Sequence, residues 1–353
     1  MRRSLLLAPA LTTLTLLPGN GLLVPGQTAG PSAIVGSWDA RPETTTRHPS
    51  PENAPRLYLR LERDDRGRNS RDHWGFTVPL AELAGLGTDP WDRDPAHFEI
   101  RRDAGTLVLD GRFRGGIGSG TFRFDPSRDF AAAMASRGYG ELDLDEQWRL
   151  TVLDVSRTYI EGLERVGYRS LPLDMLVRMR IHGVSVAFID DLAQRGYRNV
   201  DADDLVKMRI HGVSSEFIRE LGDLGYKDLT IETLVKFRIH GVSPAFVRDL
   251  RAEGFKDLDA DDLVKIRIHG VSPEYIRSMK DAGFSLTMDE LVRSRIHGAT
   301  PEFARAVRRL GYTDADFDDL VRMRIHGVTP EFITSIEKAG YPKLPIDRLV
   351  QFR

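Results

Sequence analysis

Two hydrophobic periods divide the chain. From Leu57 to Leu61 apolar residues alternate with Tyr58, Arg60 and Glu62, and the same period of two recurs at Phe98 and Ile100, Leu107 and Leu109, and Phe122 and Phe124. Such alternation marks strands buried on one face. Beyond about residue 126 the period lengthens. In the stretch 242–270, Phe246, Val247 and Leu250 share one helical face, and Leu263, Val264 and Arg267 share another. Spacings of three and four predict short amphipathic helices. The expected fold class is β + α: an antiparallel β domain over 30–125, as a sandwich or small barrel, followed by a helical array over 126–353. Asp65-Arg66-Gly67-Arg68, Asp103-Ala104-Gly105 and Gly115-Gly116-Ile117-Gly118 separate the strands with residues that tolerate positive φ, which favours hairpins over a parallel sheet. A short helix is expected at 79–83.

The helical part is repetitive. Ile-His-Gly ends at Gly183, Gly212, Gly241, Gly270, Gly298 and Gly327, steps of 29, 29, 29, 28 and 29 residues. A fixed period of this length is the mark of an α-solenoid. Seven clear units begin at Val155, Val184, Val213, Val242, Val271, Ala299 and Val328, and a degenerate one stands in front, where Ser127, Phe130, Gly138 and Tyr139 precede Ser156, Tyr159, Gly167 and Tyr168 by 29. In the unit from Val242, Ser243 is a natural N-cap with Pro244 at the first helical position, and Gly254 stops the helix. Asp259 caps a second helix that Gly270 closes, and Val271 is placed to fold back as the apolar contact of a Schellman end. Helices of ten residues do not persist alone, so they are expected to stack on their neighbours.

Composition narrows the function classes. The 353 residues are 41% apolar and 29% charged, and 50 basic against 52 acidic residues leave a formal charge of −2. That balance gives no pull toward nucleic acid or anionic lipid. Cysteine is absent, which excludes disulfides, thiolate metal sites and Cys nucleophiles. Arg2 and Arg3 precede an apolar run from Leu5 to Leu17 that Pro18-Gly19-Asn20-Gly21 ends. The run is too short to span a bilayer and fits a cleaved export signal over 1–29. The mature protein is expected outside the cytoplasm, periplasmic or extracellular, with no stable membrane span.

Few residues invite chemistry. Gly36-Ser37-Trp38 resembles the Gly-x-Trp of lipocalin-type barrels, and a Trp plugging the core explains it as well. Asp89, Asp92 and Asp94 are close enough in sequence for calcium, but no glycine-bearing loop with a terminal Glu follows. His182, His211, His240, His269, His297 and His326 occupy one repeat position. Neighbouring helices stack roughly 10 Å apart, too far for rungs to share a metal, so a helix C-terminal role is expected. Arg180, Arg209, Arg238, Arg267, Arg295, Arg324 and Arg353 are equally regular, as are the acids Asp174, Asp203, Glu232, Asp261, Asp289, Asp318 and Asp347. An Arg on the apolar stripe needs an acceptor, either a neighbouring acid or helix-end carbonyls, and a structural ladder of Arg and His is expected. His269-Gly270-Val271-Ser272-Pro273 resembles the helix-hairpin-helix turn of DNA-binding proteins, but Ser replaces its second Gly and the unit is not basic. No Ser-His-Asp order, phosphate loop or His-Glu-x-x-His is present.

The motif Arg-Ile-His-Gly-Val-(Ser/Thr)-Pro-Glu-Phe is similar to that of bacterial exported or membrane-tethered proteins carrying such repeats, some behind a β-lactam-sensor-type metallopeptidase module. The resemblance covers 126–353 and implies envelope sensing or regulation; the peptidase part has no counterpart here. The expected function is non-enzymatic and without cofactor: binding a protein or peptide partner, not nucleic acid, along the repeat surface. Asp190, Asp191, Arg219, Glu220, Arg248, Asp249 and Arg305 are the exposed, unit-to-unit variable positions of the first helices that would carry it. The alternatives are a small-ligand carrier with its site in the β domain and a helix-hairpin-helix-like nucleic-acid binder.

Overall fold

The computed structural model describes residues 34–43, 55–63, 73–87 and 89–353. The expected export signal lies outside them, as does the turn at 65–68. Seven strands form one antiparallel sheet: β1 (Ile34–Pro42), β2 (Arg56–Arg63), β3 (His73–Pro79), β4 (Leu83–Ala84), β5 (Ala96–Arg102), β6 (Gly105–Arg114) and β7 (Ile117–Pro126). Their order is β3-β2-β1-β7-β6-β5-β4, so β1 pairs with both β2 and β7 and the sheet curls on itself. Its two edges, β3 and β4, are joined by a single 3₁₀ turn, Leu80–Glu82. The β6–β7 turn is Gly115-Gly116 with φ of 57° and 84°, the double positive φ of a type I′ hairpin. At the β5–β6 turn, Asp103 and Ala104 keep negative φ, unlike the sequence expectation. Gly105 is needed there for space, because a Cβ would meet the carbonyl of Asp125 at 2.7 Å.

Alternation places Trp38, Leu57, Leu59, Leu61, Phe98, Ile100, Leu107, Leu109, Phe113, Phe122 and Phe124 inside the curl, all buried. Trp38 meets Phe98 edge-on at 5.3 Å and Phe113 at 5.5 Å. Gly111 makes room for it, since a Cβ there would stand 2.6 Å from the indole. The Gly-x-Trp tryptophan is thus a core plug.

Sixteen α-helices follow among the described residues, in eight pairs. They are α1 (Arg128–Met134) with α2 (Leu144–Val152), α3 (Arg157–Arg165) with α4 (Leu173–Ile181), α5 (Val186–Gln194) with α6 (Ala202–Ile210), α7 (Ser215–Asp223) with α8 (Ile231–His240), α9 (Pro244–Ala252) with α10 (Ala260–Ile268), α11 (Pro273–Asp281) with α12 (Met288–His297), α13 (Pro301–Arg309) with α14 (Phe317–Ile325), and α15 (Pro330–Lys338) with α16 (Ile346–Gln351). From α3 onward each odd helix packs on the next odd helix, and from α4 each even helix on the next even one. The result is a two-layer α-solenoid over one continuous core.

Local signals set the rung from Val242. Ser243 accepts from the Phe246 amide at 3.1 Å and Asp259 from the Asp262 amide at 2.7 Å, so both of its helices are capped by their own side chains, whereas α4, α6 and α16 start without a side-chain cap bond. At the other end Val271 N donates to Ile266 O at 2.9 Å and Gly270 N to Arg267 O at 3.1 Å, the paired bonds of a Schellman end. Helix one ends the same way, with Phe255 N on Leu250 O at 3.0 Å and Gly254 at φ 102°.

Helix α2 fastens array to sheet. Trp148 stacks on Phe122 at 5.2 Å and meets Phe124 edge-on at 5.5 Å, while Leu150 faces the solenoid core. Arg102 on β5 donates to the carbonyls of Thr151 and Val152 at 2.7 and 2.6 Å. A cation on a helix C-terminus is favourable, although burial pulls the Arg102 pKa below its ordinary value.

Candidate interaction surfaces

The arginine positions form a seam inside the array. Nε of Arg267 donates to the carbonyl of His240, at the end of the preceding even helix, at 3.1 Å, and Arg295 does the same to His269 at 3.2 Å. Arg209 and Arg238 reach His182 and His211 at 3.4 Å, Arg180 reaches Leu153 at 2.9 Å, and Arg353 reaches Gly327 at 3.1 Å. Each guanidinium also lies over the aromatic ring of its own unit's first helix: Arg209 over Phe188 at 5.1 Å, Arg267 over Phe246 at 4.7 Å, Arg324 over Phe303 at 5.1 Å. One side chain therefore satisfies a helix-end carbonyl and covers a core ring. Arg324 makes the ring contact, but its buried Nε has no acceptor. Four of the six histidines, His182, His211, His240 and His269, supply backbone carbonyls to this seam, and none of the six makes a ring hydrogen bond among the described residues.

The regular acids do not meet these arginines. Five of the seven pair with the base on the preceding even helix: Asp174 with Arg149 at 3.7 Å, Asp203 with Arg178 at 2.9 Å, Asp289 with Lys265 at 2.7 Å, Asp318 with Arg293 at 3.0 Å and Asp347 with Arg322 at 2.8 Å, while Glu232 pairs with Lys236 on its own helix at 2.9 Å. Helix geometry explains the choice, since Asp261, Lys265 and Ile268 stand at i, i+4 and i+7 on the outer face, whereas Arg267 turns inward.

The odd row brings the variable positions together. Asp190 and Asp191 on α5, Arg219 and Glu220 on α7, Arg248 and Asp249 on α9, and Arg305 on α13 occupy matched sites on successively packed helices. Arg277 on α11 belongs with them and was not singled out in the sequence, although the period from Arg248 points to it. The column thus runs Asp190, Arg219, Arg248, Arg277, Arg305. Neighbours lace it: Arg219 pairs with Glu216 and with Asp223 at 2.8 Å, Arg277 with Glu253 at 2.9 Å, Arg305 with Glu302 at 3.0 Å, and Asp191 accepts from Ser215 Oγ at 3.1 Å. The hydrogen bond from Arg219 holds Glu216 below the usual carboxylate range.

A second feature lies on the even row. Ile181, Ile210, Ile239, Ile268, Ile296 and Ile325 are each 52–57% exposed, one per unit. Ile268 follows buried Leu263 by five residues and so stands off the apolar stripe, a signal the sequence carried.

On the β domain, Ser37, Glu62, Arg63, Asp110, Thr121 and Arg123 line an open depression of about 620 Å³ on the outer side of the sheet. His97 and Asp110 pair across strands at 2.6 Å. Asp92 accepts from Gly115 N at 2.7 Å and Asp94 from Arg114 at 2.9 Å, so these carboxylates hold the 89–95 loop against the β6–β7 hairpin. Among the described residues no group of three or more His, Asp or Glu is arranged to hold a metal. No described helix is long and apolar enough to cross a membrane. No family model, curated protein or solved structure matches the chain.

Proposed function

We propose that the protein is a non-enzymatic interaction protein that binds another protein along the odd row of its solenoid. One observation carries this: odd helices stack into a single row whose matched outward sites read Asp190-Asp191, Arg219-Glu220, Arg248-Asp249, Arg277-Ser278 and Arg305-Ala306, while the Ser or Thr caps and the apolar character of the core positions beneath are kept. A row that keeps its scaffold and varies its surface suits an extended partner touching several rungs. The filled interior of the sheet gives little support to an internal ligand site. The helix-hairpin-helix alternative is weakened because Ser272 Oγ accepts from the Tyr275 amide, one of the donors a phosphate would need. An exported location and an envelope role rest on the N-terminal run and the repeat resemblance.

The test compares full-length wild type with Arg219→Glu/Arg248→Glu in affinity purification from the producing cells, with Arg60→Glu on the sheet as control. Proteins retained by wild type and the control but lost, about tenfold or more, by the double variant support the proposal. Equal recovery by all three would refute it.

A further inference from the structure

We propose that the isoleucine ridge of the even row is a homotypic contact through which two copies of this chain pair. The ridge lies on the other layer from the surface assigned above to a different partner. Six isoleucines at one repeat position, each about half exposed, line up because the even helices pack in sequence. Neither folding nor capping accounts for them. Ile is a poorer helix former than Leu, Lys or Ala, the Gly that follows closes the helix, and Met179, Met208, Phe237, Ile266 and Met323, two residues earlier, already fill the core.

Three properties identify the occupant. The ridge does not vary, unlike the odd row, so it matches a surface that repeats at the same pitch, roughly the 10 Å between packed helices. The molecule that carries this pitch is a second copy, and a two-fold axis would satisfy every rung at once. Area agrees: half-exposed isoleucines present on the order of 100 Å² apiece, so two facing ridges remove about 1,200 Å², the lower end of specific interfaces. Charge agrees too. Of the six bases beside the ridge, Arg178, Lys265, Arg293 and Arg322 are already paired with Asp203, Asp289, Asp318 and Asp347, and Lys236 with Glu232, while Lys207 has no ion pair among the described residues. Two ridges therefore approach with five of their six flanking bases neutralised, whereas a bilayer surface would call for unpaired basic flanks.

Sedimentation equilibrium of the full chain tests this, with wild type beside Ile239→Ser/Ile268→Ser and circular dichroism to establish that the variant stays folded. Expected are a wild-type dimer and at least tenfold weaker association in the variant. Should the variant lose helix content, Ile239→Thr/Ile268→Thr, which keeps the β-branch, replaces it with the same expected weakening. A wild type that is monomeric at about 100 µM, or a dimer that both variants preserve, overturns the proposal. So does a monomer that floats with anionic vesicles in an Ile-dependent way, which assigns the ridge to lipid.

Discussion

The glycine closing each even helix from α4 to α14 shows how much one residue is asked to do. Gly241 sits at φ 72°, where an L side chain is strained, and a Cβ there would lie 2.6 Å from Nη2 of Arg267. Gly254, closing an odd helix at φ 102°, has no atom within 4 Å of the same position. Gly254→Ala should therefore cost only the left-handed strain, about 1–2 kcal/mol. Gly241→Ala should cost more, by roughly another 1 kcal/mol, because the arginine must leave the His240 carbonyl and the Phe246 ring. Urea titrations of the two variants read the difference directly. Equal losses would mean that the seam contributes nothing at this rung.

The short helix is an element that survives only through its neighbours, and tyrosines are part of the tie. Tyr197, Tyr226 and Tyr312 donate to carbonyls of the next unit, Leu229, Leu258 and Leu344, at 2.7, 2.7 and 2.9 Å, and Tyr159 donates to Val184 at 2.8 Å. Burial pushes the Tyr159 phenol up to about 12, and it also raises Tyr168, Tyr197, Tyr226, Tyr275 and Tyr312. A folded pKa above the unfolded value of about 10 means that this stabilisation is fully present below pH ~10 and is lost as pH rises through the folded value. Helix content at 222 nm should fall together with the rise of phenolate absorbance between about pH 10 and 12. Phenolate forming near pH 10 with helices intact would contradict the burial. These elements were largely legible in the sequence, because Ser243, Asp259, Gly254 and Gly270 act on their own backbone within a few residues. The partners of the arginines were not, since nothing in a period of 29 says whether Arg267 turns to an acid or to a carbonyl. The isoleucine ridge is legible too, because Ile268 falls off the face shared by buried Leu263 and Ile266 and yet recurs in six units.

At the scale of the whole molecule, sheet and solenoid share a helix. Trp148 belongs to the sheet core and Leu150, two residues on, to the solenoid core, with Arg102 bridging to the helix end. Trp148→Ala should cost about 3–5 kcal/mol. It should also separate the tryptophan-fluorescence transition of the sheet from the helical transition at 222 nm, which in wild type should begin together. Transitions as coincident in the variant as in wild type would show that α2 is not the fastening. Assembled in this way, the molecule holds its two helical rows in fixed register with the sheet. The most direct test of the claim that the odd row is the binding surface is hydrogen exchange across the full chain, free and in the complex purified from the producing cells. Protection gained by the bound partner should concentrate on α5, α7, α9, α11 and α13. Protection confined to β1–β7, with the odd row exchanging as in the free protein, would contradict it.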